Sequence, residues 1–327
     1  MKFGPLPLNT ARGTILAHSV ATPGGRLRKG RVLEAADIAQ LTAAGLTEVI
    51  VAAPEPGDVT ENDAARTLAE ALVGSGVRLT DAFTGRVNVL AEGPGVAVLN
   101  AGAIHAANAV HPMITIATVP PFQQMAGQGM LATVKIISYA VPGAALAAAC
   151  TAARGALRMA APVLSSATLI VTEIPGGPGA KGQAAIADRL AALGGTLEDV
   201  TSVPHDVAPL AEAIAAAESD VVLILTGSAT SDPGDVAPAA LRAAGGTVER
   251  FGMPVDPGNL LFIGDLSGRP VIGLPGCARS PALNGADWVL ARVMCGLEVS
   301  DSDIAGMGVG GLLKEIPTRP QPRRGDR

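Results

Sequence analysis

Residues 220–241 read DVVLILTGSATSDPGDVAPAAL, and they give the clearest indication of the fold class. Asp220–Gly227 is almost wholly apolar, which is typical of a strand buried on both faces of a parallel sheet. The Gly, Ser, Asp and Pro residues that follow predict a loop, and the segment from Val236 to Ala244 predicts a helix. A strand, a loop and a helix in this order form the repeating unit of an α/β domain.

The same unit recurs on both sides of this stretch. ATLIVTE (Ala167–Glu173) predicts another buried strand, and Leu197–Val203 predicts a third. The remaining predicted elements are helices over 182–193, 207–218 and 280–294, and strands over 260–264 and 271–274. This alternation predicts an α/β, three-layer, doubly wound and mostly parallel sheet over residues 159–299. In such a sheet the ligand lies at the carboxyl ends of the strands.

The rest of the chain divides into three segments. Residues 1–79 predict a smaller mixed α/β N-terminal region, with a strand over 14–20, helices over 35–44 and 62–72, and a strand over 46–51. Residues 80–158 predict a mixed or mostly β middle region, built from the short apolar runs 87–91, 96–99, 113–119 and 130–139. His105 and His111 fall in a predicted loop there, without the spacing of metal ligands. Residues 300–327 form a tail rich in Pro and Arg, which we expect to be partly disordered.

Composition narrows the classes of function. The chain is 48% hydrophobic and only 2% aromatic, so stacking on aromatic rings is not the expected mode of ligand recognition. A net charge of −5 gives no electrostatic reason to bind nucleic acid. Three cysteines without paired spacing favour a reducing compartment, and no uncharged run is long enough for a membrane span. We therefore expect a cytoplasmic protein with no membrane partner.

The loop after the most apolar strand could bind an anion. Gly227 permits close backbone approach, hydroxyl side chains follow it, and a helix begins after Asp235 with backbone N–H groups that lack helical partners. The competing interpretation is an ordinary loop in which Asp235 caps the helix. The candidate ligand-binding residues in this loop are Thr226, Gly227, Ser228, Thr230, Ser231 and Asp235.

Two other loops should meet this one at the same edge of the sheet. GLPGCARS (Gly273–Ser280) predicts a tight turn followed by a helix N-terminus that could hold a phosphate or another ligand oxygen. Its Cys277 is either a thiol with a lowered pKa or, as the simpler interpretation, a small buried side chain. In VPHDVAPL (Val203–Leu210), Asp206 ends a strand and is either a helix cap or a catalytic group.

These loops resemble those of the molybdopterin-binding domain family, which includes molybdopterin molybdotransferases and molybdopterin adenylyltransferases. TGSATSDPGDVAPAAL is similar to their Gly-Gly-x-Ser/Thr-Gly loop with its Asp-Val-Thr-Pro continuation. VPHDVAPLAEAI is similar to their Pro-Asp-Asp segment. The stretch that begins with MPVDPGNL and ends with GLPGCARS is similar to a molybdotransferase stretch that begins with Lys-Pro-Gly-Lys-Pro and ends with Gly-Leu-Pro-Gly-Asn-Pro-x-Ser. The segment from Ala11 to Val51 also resembles the early part of a molybdotransferase, and more closely a molybdopterin-binding region fused in some bacterial proteins to a nucleotidyltransferase.

The resemblance implies a ligand and a set of site residues. The ligand is molybdopterin or the molybdenum cofactor, with Mg²⁺ as a further candidate held by Asp206 and Asp235, which are also the candidate catalytic residues. The candidate cofactor-binding residues outside the loop 226–235 are Pro257, Gly258, Pro275, Gly276, Cys277 and Ser280.

The chain departs from the family pattern where catalysis would need charge. Ser228 replaces a glycine, His205 replaces the first acidic residue of the Asp-Asp pair, and Cys277 begins the pair that replaces Asn-Pro. Asp256 and Asn259 stand where the family has lysines. Lysine anchors phosphate and carboxylates position magnesium, so both sides of a transfer reaction are weakened. A pterin site built from backbone groups could persist without turnover.

The resulting hypothesis is a protein that binds molybdopterin or the molybdenum cofactor and acts in cofactor biosynthesis, insertion or handling. One alternative is an active molybdopterin molybdotransferase or adenylyltransferase. Another is a nucleotide hydrolase on the same domain, related to competence-damage proteins. A carrier would pass the cofactor to a nucleotidyltransferase or a molybdoenzyme, and family members commonly dimerise, so we also expect a homodimer.

Overall fold

The computed structural model describes residues 1–313, so the second half of the predicted tail, residues 314–327, lies outside the described residues. The chain forms two compact units. The first comprises residues 1–92, 97–121 and 127–159, and the second comprises 93–96, 122–126 and the described part of 160–327. Within residues 1–313, no helix is long and apolar enough to cross a membrane.

The N-terminal half of the chain, up to residue 160, carries fourteen strands and four α-helices in short elements. The strands are β1 (Lys2–Pro7), β2 (Ile15–Leu16), β3 (Val20–Thr22), β4 (Gly25–Leu27), β5 (Glu48–Ala53), β6 (Asp58–Thr60), β7 (Val77–Leu79), β8 (Arg86–Ala91), β9 (Gly95–Leu99), β10 (Ile114–Thr118), β11 (Gln124–Met125), β12 (Met130–Ile136), β13 (Ala140–Pro142) and β14 (Leu157–Ala160). The helices are α1 (Ala35–Ala43), α2 (Glu61–Leu72), α3 (Ala101–Val110) and α4 (Gly143–Ala153), and Leu8–Thr10 is a 3-10 helix.

The predicted helices α1 and α2 both form. In α2 the residues that are fully buried recur at helical spacing, as Ala64, Leu68 and Leu72 show. The strand predicted over residues 14–20 is only partly present, because β2 and β3 are short and leave residues 17–19 outside them.

The middle of the chain is more helical than the sequence predicted. Its strands β8, β9, β10 and β12 coincide with the four apolar runs, but α3 and α4 were not expected. The prediction of a loop at His105 is wrong, because His105 lies inside α3, and His111 is the C-cap of that helix. Asn100 caps α3 by accepting a hydrogen bond from the backbone N–H of Ala103 at 3.1 Å.

The second unit contains the predicted three-layer domain. Its strands are β15 (Ser166–Glu173), β16 (Thr196–Pro204), β17 (Val221–Leu225), β18 (Thr247–Phe251), β19 (Phe262–Leu266) and β20 (Arg269–Leu274). Its helices are α5 (Gln183–Ala191), α6 (Val207–Ala216), α7 (Val236–Ala243), α8 (Gly285–Met294) and α9 (Asp301–Gly306), with a 3-10 helix at Gly276–Arg279.

The six strands form one sheet in the order β16-β15-β17-β20-β19-β18. The first four are parallel, and β19 and β18 add antiparallel pairs at one side. All five residues of β17 are buried, as a central strand covered on both faces requires. The predicted doubly wound, mostly parallel sheet is therefore confirmed.

Helices cover both faces of this sheet. From β15 the chain passes through α5 to β16, the neighbour on one side. From β16 and β17 it passes through α6 and α7 toward the other side of the sheet. Because such connections are right-handed, α5 lies on one face and α6 and α7 lie on the other. On the α6 and α7 face, Leu210 and Leu241 pack with Ile170, Ile224 and Phe262 in one core cluster. Alternation along each strand turns Leu169 and Leu223 to the other face.

Two predictions for this domain are wrong in detail. The last helix does not begin at Ser280: α8 begins at Gly285, after Asn284, whose side chain accepts from the backbone N–H of Ala286 at 2.9 Å. The strand β18 was not predicted, because its residues alternate between partly buried and exposed instead of forming an apolar run.

Candidate functional site

The carboxyl ends of β15 and β17 lie side by side at the switch point of the sheet. The loop after β15 leads to α5 on one face, and the loop after β17 leads to α7 on the other, so the two loops diverge and leave a crevice. This crevice is where a doubly wound sheet binds its ligand. The loops after β16 and β20 flank it on either side.

A single threonine hydroxyl joins the ends of three strands at this edge. Thr172 is fully buried at the end of β15, and its Oγ1 accepts a hydrogen bond from the backbone N–H of Gly227 at 2.9 Å. The same oxygen lies 2.8 Å from Nδ1 of His205, which follows β16. The backbone N–H of His205 also donates to the carbonyl of Glu173 at 3.0 Å. The predicted loops at residues 205 and 227 are thus brought together.

Gly227 is required here by close packing of two backbones. A Cβ at this position would lie 2.7 Å from the carbonyl oxygen of Thr172 and 3.2 Å from the backbone nitrogen of Ile174. The expected close approach therefore exists, but it is to the end of β15. The N–H of Gly227 donates to Oγ1 of Thr172, so this donor is engaged within the protein.

Arg279 is the cation at this crevice. Its Nη1 donates to the carbonyl oxygens of Gly179 at 2.8 Å and Lys181 at 2.6 Å, and its Nη2 donates to that of Thr226 at 3.0 Å. These carbonyls belong to the two loops that diverge at the switch point. Within residues 1–313 the guanidinium forms no ion pair, and burial lowers its pKa, although arginine stays protonated. A half-buried positive charge without a carboxylate favours an anionic ligand.

Arg189 of α5 holds the turn that carries Arg279. Its Nε donates to Oδ1 of Asp287 at 2.6 Å, and both side chains are about nine-tenths buried. The two Nη atoms donate to the backbone carbonyls of Ala185, Ala278, Ser280 and Ala282. This ion pair and its four carbonyl partners tie the segment 276–282 to both α5 and α8.

Both predicted carboxylates cap helices. Oδ1 of Asp206 accepts from the backbone N–H of Val207 at 2.6 Å at the start of α6. In Asp235, Oδ1 accepts from the N–H of Val236 at 2.8 Å and Oδ2 from that of Ser231 at 3.0 Å, at the start of α7. The capping interpretation of these aspartates is therefore the one that the hydrogen bonds support.

The N-terminus of α7 has little left to offer an anion. The carboxylate of Asp235 already occupies it and takes the N–H of Val236, while Pro238 has no N–H to donate. The N–H of Ala239 bonds to the carbonyl of Asp235, so the N–H of Ala237 is the donor that remains in the first turn. An anion at this edge would therefore depend more on Arg279 than on the helix dipole.

The hydroxyl residues of the loop after β17 divide into two kinds. Thr230 is buried, and its Oγ1 lies 3.4 Å from that of Thr226, so this pair supports the loop. Ser228 and Ser231 are exposed. Ser228 and Ser231 are therefore the hydroxyls of this loop that a ligand could reach.

The segment after β20 does not continue directly into an α-helix. Pro275 is buried, Gly276 is exposed and Cys277 is half-buried, and these residues enter a 3-10 helix of four residues. Ser280 is exposed, and its Oγ accepts from the N–H of Ala282 at 3.2 Å. The predicted helix N-terminus at this position is wrong, because the chain makes a 3-10 turn and an extended step before Asn284.

Pro257 and Gly258 pack against the start of α8. The carbonyl of Pro257 accepts from the N–H of Gly285 at 2.8 Å, and a Cβ on Gly258 would lie 2.7 Å from the same nitrogen. Asp256 and Asn259 are exposed beside them, and Asn259 Nδ2 donates to the carbonyl of Met253 at 3.4 Å. These contacts support the segment after β20.

Two cavities of the domain lie in different places. An open cleft of about 400 Å³ lies at the carboxyl ends of β15 and β16. A larger cavity of about 560 Å³ lies between β18–β20 and residues 293–300, and it contains none of the predicted site residues. The smaller cleft adjoins His205 and the carboxyl edge of the sheet, where a doubly wound fold binds its ligands.

The residues present do not fit a magnesium site made by the protein. Within residues 1–313, no group of three His, Cys, Asp or Glu side chains is arranged to hold a metal ion. Asp206 and Asp235, the two proposed ligands, each cap a different helix.

Sequence reasoning missed Thr172 and Arg279. Arg279 lies inside the GLPGCARS segment, between residues that were singled out, but its partners Gly179 and Lys181 are about 100 residues away in sequence. The glycine-rich loop IPGGPGAKG, residues 174–182, was a signal that went unused. Glycines there, together with a conspicuous cation, are typical of a loop that approaches a ligand.

The fold and the carboxyl edge of its sheet define the class of protein. It is a three-layer α/β ligand-binding domain with the guanidinium of Arg279 at its switch point. The model of the family described as "Probable molybdopterin binding domain" matches residues 160–292. This segment belongs to the molybdopterin-binding domain family, as its loops suggested. A second family, described as "Domain of unknown function (DUF8806)", matches residues 5–53.

Comparison with solved structures gives weaker likenesses over the whole chain. A molybdopterin biosynthesis MoeA protein from Pyrococcus horikosii is 15% identical, with a TM-score of 0.33, over 90% of this chain and 75% of that one. A molybdenum cofactor biosynthesis protein from Pyrococcus furiosus is 12% identical, with a TM-score of 0.25, over 91% of this chain and 66% of that one. No curated protein matches in sequence. TM-scores this low carry no argument, so the assignment depends on the domain itself.

Proposed function

We propose that the chain binds molybdopterin or its molybdenum form, with the phosphate held by Arg279 at the switch point. The observation that carries this proposal is the uncompensated guanidinium between two diverging loops of a molybdopterin-binding domain. Three of its five N–H donors bond to carbonyls, which leaves the Nε–H and one Nη2–H for an oxyanion. Lys181, with an exposed side chain in the same loop, adds a second cation.

The protein would act in biosynthesis, insertion or handling of the cofactor, as a carrier more than as a catalyst. The two carboxylates that a transfer reaction would need to hold magnesium are engaged as helix caps. Asp256 and Asn259 stand where lysines would face a developing charge. A carrier of this kind would deliver the cofactor to a nucleotidyltransferase or a molybdoenzyme, and it could do so as a homodimer.

A binding experiment tests the carrier. Molybdopterin would be titrated under anaerobic conditions into the wild-type protein, Arg279→Gln and Arg279→Lys, with Arg154→Gln as a control that removes one exposed charge elsewhere. Losing charge-assisted hydrogen bonds worth about 1.5–3 kcal/mol should weaken binding roughly 10- to 150-fold in Arg279→Gln. Arg279→Lys should recover part of this loss, because it restores the charge without the planar fork.

Turnover assays separate the alternatives. Nucleotide consumption would be followed with and without molybdopterin, and with molybdate and Mg²⁺. Little or no turnover is the expected result. Rapid adenylyl or molybdate transfer would instead establish a catalyst, and nucleotide hydrolysis without any pterin requirement would favour the hydrolase alternative. Failure of the wild-type protein to bind molybdopterin would refute the proposed function itself.

A further inference from the structure

The cleft at the ends of β15 and β16 has the chemistry of a ring-binding subsite. Its volume is about 400 Å³, which leaves room for a fused bicyclic ring. Its walls come from neighbouring strands, because Glu173 and Pro204 are register partners in the parallel pair. The lining residues are Glu173, Ile174, Pro175, Ser202, Val203 and Pro204.

The polar side chains that line this cleft are few. Glu173 provides a carboxylate that only accepts hydrogen bonds, and Ser202 provides a hydroxyl. Among the described residues Glu173 forms no ion pair, and its backbone is held in place by the bond from the N–H of His205 to its carbonyl at 3.0 Å. The remaining walls are aliphatic or proline side chains, which offer flat apolar contact without aromatic stacking.

We propose that Glu173 recognises the aminopyrimidinone edge of the pterin ring, and this inference rests on the proposed function. That edge presents a ring N–H and an exocyclic amino group side by side. Two adjacent donors match the two oxygens of one carboxylate, as in the bidentate pairing of carboxylates with guanidinium groups. The proline and valine side chains then contact the ring faces, and Ser202 serves the ring oxygen or nitrogen within its reach.

The position of the cleft agrees with a ligand that is anionic at its other end. The cleft lies between β15 and β16, whereas Arg279 contacts the loop after β17. Neighbouring strands are separated by about 4.8 Å, so the two subsites are roughly 5–10 Å apart along the sheet edge. A pterin whose phosphate is carried on a short side chain spans such a distance.

Ring analogues without the phosphate test this subsite separately from Arg279. Hydroxymethylpterin would be compared with hydroxymethyllumazine, in which an oxygen acceptor replaces the exocyclic amino group. Fluorescence titration of the wild-type protein should show a preference for the pterin of about tenfold or more. Guanosine monophosphate, which has the same aminopyrimidinone edge, distinguishes a nucleotide from a pterin as the occupant.

Glu173→Gln should reverse this preference. A glutamine amide presents one donor and one acceptor, which complement the lumazine edge instead of the pterin edge. Glu212→Gln, which makes the same change at an exposed position on α6, should leave the preference of the wild type unchanged. Arg279→Gln should also leave the ratio unchanged, because the analogues carry no phosphate.

The outcomes that overturn the inference are distinct. An equal pterin-to-lumazine ratio in the wild type and Glu173→Gln would refute the role of Glu173, and so would the absence of any ring binding. Tighter, Glu173-dependent binding of guanosine monophosphate would assign the cleft to a nucleotide. If molybdopterin still bound in an Arg279-dependent manner, the proposed function would stand in each case. If pterin discrimination held while molybdopterin failed to bind, the proposed function would fail instead.

Discussion

Replacing Gly227 by alanine should damage both the stability of the domain and its ligand edge. The added methyl would lie 2.7 Å from the carbonyl oxygen of Thr172 and 3.2 Å from the nitrogen of Ile174. Both are backbone atoms of β15 or the loop after it, so no flexible side chain can move aside. The loop after β17 would have to shift, and the hydrogen bond from Gly227 to Thr172 would lengthen or break.

The cost can be worked from these contacts. Overpacking against a fixed backbone costs about 1–3 kcal/mol, and losing the hydrogen bond adds about 1 kcal/mol. The sum is ~2–4 kcal/mol. For a domain of this size, each kcal/mol lowers the midpoint of thermal unfolding by about 2–4 °C, so Gly227→Ala should lower it by roughly 4–16 °C.

Gly276→Ala provides a matched control. Gly276 lies in the neighbouring loop after β20, and a Cβ there has no atom within 4 Å. The same substitution should therefore be neutral or stabilise by about 0.4–1 kcal/mol, since it restricts the unfolded chain. Thermal unfolding followed by circular dichroism compares the two variants. Equal midpoints for Gly227→Ala and Gly276→Ala would refute the close-contact reasoning.

Two further predictions concern ion pairs and acid stability. Arg189→Met should lower the free energy of unfolding, measured by urea titration, by about 3–5 kcal/mol, because it leaves Asp287 buried without its cation. The control Arg66→Met breaks an exposed ion pair and should lower this free energy by less than about 1 kcal/mol. A similar loss in both variants would contradict this. Hydrogen bonds from residues 165–166 hold the pKa of Asp220 below its usual value. The stabilisation by Asp220 should thus be complete above about pH 5, where the unfolded-state carboxyl is also ionised, and be lost as the pH falls through the lower folded-state pKa. The difference in unfolding free energy between wild type and Asp220→Asn, measured by urea titration, should shrink between about pH 5 and about pH 2, and a constant difference would argue against it.

The parallel core of the second unit could be predicted because its signal is local. Val221–Leu225 is apolar without interruption, and only a strand buried on both faces needs such a run. β18 gave no such signal, since Glu249 and Thr247 are exposed on an edge strand. In the middle of the chain, the Gly, Asn and His residues of α3 suggested a loop, although Ile104 and Ala107 face the core at helical spacing.

The candidate site was harder to predict, for a different physical reason. Asp206 and Asp235 could be located at strand ends, but whether each caps a helix or faces a ligand depends on backbone N–H groups that only the fold positions. Arg279 and Thr172 act through partners distant in sequence, so no spacing reveals them. Local pattern identifies the loops, whereas tertiary contacts decide which atoms in them remain available.

The hydroxyl of Thr172 has one proton and two lone pairs, and it already serves two neighbours. A ligand that drew Nδ1 of His205 away from this hydroxyl would therefore change the hydrogen bonding of the same oxygen that holds Gly227. Rotation of that hydroxyl would change hydrogen bonds on both sides of β15, to His205 in the loop that precedes α6 and to Gly227 in the loop that leads to α7. Occupancy of the ring cleft and of the phosphate subsite would then be thermodynamically coupled, with each ligand fragment altering the affinity for the other by the same factor.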